Sequence, residues 1–128
     1  MENLNYFNER RKFPRSLLDL PLEYRVKDFP HANGGLVFNA SESGLLIYSV
    51  KDMPIGLKLN IIVLFPNGFE LANFGVLAEI IWKDHHWYND SEGYRYGLKI
   101  TTIVEEDHWK LRQILSGQFQ LGEISSNF

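Results

Sequence analysis

The chain contains no cysteine. That excludes disulfide scaffolds, thiolate metal sites and cysteine nucleophiles, and it fits a reducing compartment. Long apolar runs are missing too: nothing approaches the roughly 18 consecutive apolar residues that a membrane-spanning helix needs, and residues 1–9 have neither the basic start nor the apolar middle of a secretory leader. The chain therefore reads as cytoplasmic, without membrane insertion. Positive charge is also in short supply, with 13 Lys and Arg against 16 Asp and Glu and a net charge of −3. A general DNA or RNA binder needs a broad basic face to neutralise many phosphates, so this balance argues against one.

What is present is a chain of 128 residues, 45% hydrophobic and 14% aromatic, long enough for one domain with a sizeable core. Against its acidic background one window stands out, Arg10-Arg11-Lys12-Phe13-Pro14-Arg15, with four positive side chains in six residues. An isolated basic run is most often a solvated tail. Arginine, however, offers a planar fork that matches phosphate oxygens in pairs and stacks on flat rings. Pro14 keeps Phe13 out of the helical region, so Arg11 and Arg15 lie on an extended segment and can grip separate points of one small polyanion.

The dominant hydrophobic period is two. Leu20, Leu22, Tyr24 and Val26 alternate with polar neighbours, turn chemistry fills 28–35, and strands follow over 36–40 and 45–50. Leu57, Leu59, Ile61, Val63 and Phe65 predict a fourth strand, and Pro66-Asn67-Gly68 a hairpin. The return over 69–83 places Phe74, Val76, Ala78, Ile80 and Trp82 on one face, 84–93 reads as a polar loop, and Tyr94, Tyr96, Leu98 and Ile100 mark another strand. Such a run of strands with no helix between them predicts an antiparallel meander closed into a small barrel.

A helical period appears only near the end. Thr102 to Glu105 fits a capping box, Glu105, Glu106 and Asp107 suit a helix start, and Val104, His108, Leu111 and Leu115 form a stripe that ends before Gly117 as C-cap. Residues 1–16 are thus expected to be a flexible arm, 17–117 the barrel with its helix, and 118–128 a loose tail.

About twenty-five residues beyond the arginines stands Asn39-Ala40-Ser41-Glu42-Ser43-Gly44. Asn39 and Ser41 suit local bonds that bend a strand end, and Gly44 permits a positive φ or the close approach of a ligand. Alone this is an ordinary turn. Together, R-x-x-x-R and N-x-S-x-x-G at this spacing resemble the PilZ domain family, as do Glu79-Ile80-Ile81-Trp82 and Tyr96-Gly97-Leu98-Lys99-Ile100 as its late strands. The resemblance implies an all-β fold, a six-stranded antiparallel PilZ-type β-barrel with a C-terminal helix, that binds cyclic di-GMP. Arg11 and Arg15 are then the phosphate and guanine clamps, Arg10 a further guanidinium able to stack, Asn39 and Ser41 groups for a guanine edge, Gly44 a point of close backbone approach, and Trp82 a ring platform. For Trp82 a place in the core, beside Ile80 and Ala78, is an equally good reading.

Catalysis finds no support. His85 and His86 are adjacent and would point to opposite faces of a strand, His31 and His108 are remote, and no nucleophile elbow, Walker loop or dinucleotide fingerprint occurs, so neither enzyme activity nor a metal site is expected. Three readings of different classes remain: a cyclic di-GMP receptor that relays through loop re-ordering, a ligand-independent adaptor of the same fold, and a small single-strand nucleic-acid-binding barrel. The first is favoured by the arginines, and it requires an unidentified effector protein, a homodimer or both.

Overall fold

The computed structural model describes residues 16–117, with side chains from residue 18. Six strands come first: β1 (Ser16–Val26), β2 (Asn33–Ala40), β3 (Gly44–Ser49), β4 (Lys58–Asn67), β5 (Glu70–Tyr88) and β6 (Ser91–Thr102), followed by one helix, α1 (Glu105–Leu115). All pairings are antiparallel, and the order β1-β2-β3-β6-β5-β4 closes on itself through five pairs from Leu22↔Val63 to Val26↔Leu59.

Period-two patterning builds this barrel. Leu22 and Tyr24 of β1, Leu59, Ile61, Val63 and Phe65 of β4, Phe74, Val76, Ala78 and Ile80 of β5, and Tyr96 and Leu98 of β6 all point inward and are buried. Burying side chains of this size stabilises the fold by about 1.5–3 kcal/mol each. Leu111 and Ile114 of α1 join the same core. Polar partners hold the helix against β5, where the Gly75 amide donates to Asp107 Oδ2 at 3.2 Å and Lys110 Nζ donates to the Asn73 carbonyl at 3.0 Å.

Several expectations are corrected by the structure. The span 84–93 is no polar loop: β5 runs on to Tyr88 and β6 begins at Ser91, joined by Asn89 and Asp90 with φ of 50° and 65°. Positive φ at both central residues is the turn whose twist matches the two strands, and Asn and Asp tolerate it. Gly34 and Gly35 belong to β2 rather than to the turn before it. The predicted capping box does not form, because Thr102 ends β6, Val104 is the N-cap, and no side-chain cap bond is made. Val104 is 61% exposed, so the helix buries Leu111 and Ile114 rather than a stripe starting at Val104. The acidic first turn holds, and Gly117 follows α1 at φ 89° with its amide donating to the Ile114 carbonyl.

The candidate ligand site on the outer face of the barrel

Two β-bulges build the site. On β2 the register against β3 slips between Val37↔Ile47 and Asn39↔Leu46, so Phe38 is an extra residue. On β5 the register against β6 slips between Ile80↔Leu98 and Trp82↔Gly97, so Ile81 is extra. Each bulge reverses the in-and-out alternation downstream of it. Val37 and Ile80 face the core, and the residues two positions later, Asn39 and Trp82, face outward. The reading that put Trp82 on the core face with Ile80 is thereby corrected.

The two turned-out residues share one row. Asn39 pairs with Leu46, Leu46 with Gly97, and Gly97 with Trp82, across β2, β3, β6 and β5. Three strand spacings separate the ends of this row, about 14 Å. Gly97 forms a floor in it, since a Cβ there would sit 3.3 Å from Trp82 Cβ and Cε3. Asn39 is only 6% exposed, and among the described residues its Oδ1 has no hydrogen-bond partner. A buried carbonyl oxygen without a donor costs about 1–3 kcal/mol, so this atom requires a donor from outside the described barrel.

At one end of the row the β2–β3 turn is held by its own polar groups. The Ser41 amide donates to the Gly44 carbonyl at 2.9 Å, and Ser41 Oγ accepts from the Ser43 amide at 3.3 Å. Gly44 opens β3 without a positive φ, so backbone handedness does not account for it there. Glu42, at the turn's tip, lies 3.4 Å from His108 Nε2 on α1. Ser16, the residue that follows Arg15, pairs with Ala40 beside Asn39. Arg10, Arg11 and Arg15 themselves, with the expected arm and the tail over 118–128, lie outside the described residues.

Sequence reasoning missed the next row out, Leu36, Tyr48, Arg95 and Asp84. Arg95 is 8% exposed, and its Nε and Nη2 donate to Asp84 Oδ1 and Oδ2 at 3.1 and 2.6 Å. Its guanidinium carbon stands 5.6 Å from the centre of the Trp82 ring. Beyond it the Tyr48 ring covers Gly93, where a Cβ would come within 2.6 Å of the phenol oxygen, and that phenol donates to the Ser91 carbonyl at 2.9 Å. Phe38, His86 and Tyr88 pack around Tyr48 with ring centres 5.3–6.0 Å apart. Burial in this cluster holds the His86 imidazole below its usual pKa; Arg95 lowers it further, while Asp84 pulls it back up. The signal for Arg95 and Asp84 was a cross-strand register, which composition does not carry.

Among the described residues no group of three or more His, Asp or Glu could hold a metal ion, and no helix is long and apolar enough to cross a membrane. One face of the barrel wall thus gathers an orphaned amide oxygen, a glycine floor, an indole and a buried guanidinium. The chain matches the PilZ domain family over residues 9–117 and belongs to it. Among solved structures it is similar to the motility inhibitor MotI/DgrA of Bacillus subtilis (18% identity, TM-score 0.67, 85% of this chain and 51% of that one). It is likewise similar to the PilZ domain of YcgR from Escherichia coli with c-di-GMP (12%, TM-score 0.66, 92% and 98%) and to PlzA of Borreliella burgdorferi in complex with c-di-GMP (12%, TM-score 0.56, 93% and 58%). The chain thus spans about half the length of the MotI/DgrA structure. No curated protein matches it.

Proposed function

We propose that this protein binds the bacterial second messenger cyclic di-GMP on the outer face of β2, β3, β6 and β5. The ligand carries two phosphate diesters and two guanines. Its phosphates call for cationic forks, its guanine edges for paired donors and acceptors, and its purine faces for flat groups. Arg11 and Arg15 are the clamps, and Arg10 adds a third guanidinium. Asn39 and Ser41 meet a guanine edge, Gly44 allows close approach of the backbone, and Trp82 is the ring platform.

The observation that carries this reading is Asn39 Oδ1, buried without a donor on the same outward row as Trp82. Guanine presents N–H donors on its edge, which that oxygen can accept. Chain continuity supports the role of the arginines: Ser16 enters the barrel beside Ala40, so the backbone of Arg15 is one residue, about 3.8 Å, from that point. The relay we propose draws on the same geometry. Ordering of the arginine segment against the barrel presents a new surface to an effector protein or a second copy, and the Glu42–His108 contact ties the turn of the site to α1.

Calorimetric titration with cyclic di-GMP, GTP and a short oligonucleotide tests the proposal. Saturable binding of cyclic di-GMP alone is the expected result. Binding of none of the three would leave the ligand-independent adaptor, and preference for the oligonucleotide would make the barrel a single-strand binder.

A further inference from the structure

Four residues form a closed square on the outer face. Trp82 and Asp84 stand two apart on β5, Gly97 and Arg95 two apart on β6, and the pairs Trp82↔Gly97 and Asp84↔Arg95 join them. The bulge at Ile81 turns the indole outward, but it leaves the ring free to rotate about its own side-chain bonds. Two neighbours remove that freedom. Gly97 supplies a floor without a side chain, and the Arg95 guanidinium closes the ring's side at 5.6 Å.

Arg95 in turn cannot drift. Two donors along one edge of its fork, Nε and Nη2, are bonded to Asp84, at 3.1 and 2.6 Å, and only 8% of its surface is exposed. A buried charge on an outer wall is costly unless paired, and a structural pair alone is a weak source of stability. Stacking against an aromatic ring is what a guanidinium does and an ammonium does poorly, because it is planar and weakly hydrated. We infer that Arg95, fixed by Asp84, is a positioning residue that sets the orientation of the Trp82 ring and so prepares the ring platform in the absence of ligand. It acts through Trp82, and the inference rests on the reading of Trp82 as the platform in the proposed cyclic di-GMP site.

Two measurements on the full chain separate this inference from that reading. In the first, the protein is labelled with 5-fluorotryptophan and its three resonances are assigned by single Trp→Phe variants at Trp82, Trp87 and Trp109. Without any ligand, Arg95→Lys and Asp84→Asn shift and broaden the Trp82 resonance and leave the other two in place. An unmoved Trp82 resonance in both variants overturns the inference, whatever the protein binds; movement of all three marks general unfolding of Arg95→Lys, and Asp84→Asn, which keeps the shape of its side chain, then decides.

The second measurement is a cycle of cyclic di-GMP affinities. Arg95→Lys weakens binding roughly five- to tenfold in the wild-type background, the scale of one desolvated cation–ring contact, and less than about twofold in Trp82→Ala. Equal losses in both backgrounds would mean that Arg95 acts on the ligand itself, which overturns the positioning role. If wild type binds no cyclic di-GMP, or Trp82→Ala binds as wild type does, the functional reading fails, and the fluorine spectrum still decides whether Arg95 orients the ring.

Discussion

The Met53 amide donates to the phenol oxygen of Tyr96 at 2.8 Å, and the same phenol donates to the Lys51 carbonyl at 2.5 Å. One inward tyrosine of β6 thus fastens the β3–β4 connection across the mouth of the barrel, with Met53 buried beneath it. Lys83 adds a bond to the Met53 carbonyl at 2.9 Å and an ion pair with Asp52. Tyr96→Phe leaves a buried donor and a carbonyl unpaired, and the expected loss is about 1–3 kcal/mol of stability. Urea unfolding of the two proteins measures it; equal midpoints would show that water or a neighbour replaces both bonds.

The same tyrosine gives the fold an alkaline limit. Burial pushes its phenol up to about 12; the Met53 amide pulls it down, and the charges of Asp52 and neighbouring tyrosines push it up. Tyr24, whose hydroxyl meets Ser49 Oγ at 2.7 Å inside the barrel, is raised by burial as well. A group whose folded pKa lies above its unfolded value of about 10 favours the fold in its protonated form, so its contribution is complete below about pH 10 and is lost toward 12. Unfolding free energy measured at intervals from pH 8 to 12 is expected to hold and then fall, and the fall is shallower in Tyr96→Phe. An equally steep fall in the variant would assign it to other groups.

For the clamp, Arg11→Ala or Arg15→Ala weakens cyclic di-GMP binding by about 2–4 kcal/mol, because each removes charge-assisted contacts and leaves ligand acceptors unpaired. Lysine at either position restores little, since it lacks the fork. Calorimetry reads the loss directly, and wild-type affinity in both alanine variants would end the assignment.

Stoichiometry turns on Arg10. A third guanidinium beside the clamp supplies another stacking plane and another charge, which helps hold two stacked ligands whose four phosphates repel one another. Wild type is expected to saturate near two cyclic di-GMP per chain and Arg10→Leu near one. A wild-type ratio of one disposes of the idea.

Loop re-ordering has its own observable. Backbone amides over residues 8–16 exchange more slowly once cyclic di-GMP is bound, as a segment gripping a ligand must. Unchanged exchange at saturating ligand would contradict the proposed relay.

Adjacent glycines of β2 offer an internal control on packing. A Cβ at Gly35 would meet the Tyr48 carbonyl oxygen at 2.6 Å, whereas one at Gly34 would meet nothing within 4 Å. Backbone cannot step aside as a flexible side chain does, so Gly35→Ala is expected to cost about 1–3 kcal/mol, and Gly34→Ala to change stability by less than about 1 kcal/mol. Thermal unfolding of the pair checks this, and similar midpoints would refute it.

Much of the barrel was legible because a half-buried strand writes its burial into alternate residues, as Leu59 to Phe65 and Tyr94 to Ile100 do. What stayed hidden were single-residue events. A bulge adds one residue without altering composition, and successive apolar residues do not mark it: they occur at the bulges, in Leu36-Val37-Phe38 and Ile80-Ile81-Trp82, and equally in the regular strand Ile61-Ile62-Val63-Leu64-Phe65. The long β5–β6 hairpin was masked by Asp84, His85 and His86, polar residues whose strand partners are Arg95, Tyr94 and Gly93. Asn39, Ser41 and Trp82 were singled out through the resemblance to the PilZ family, while Arg95 and Asp84 became neighbours only through a register that depends on the bulge.

Closure of the sheet through β1 and β4 also limits how this protein can be read by another. Along Leu22–Tyr24 of β1 and Leu59–Val63 of β4 the strands face partners on both sides, since β1 pairs there also with β2 and β4 with β5. An extended peptide that recognises its target by adding a strand to an open edge finds that seam already occupied. Recognition there falls to side chains and loops, so the specificity of any effector at the seam is written in surface residues that can change one at a time without disturbing the barrel.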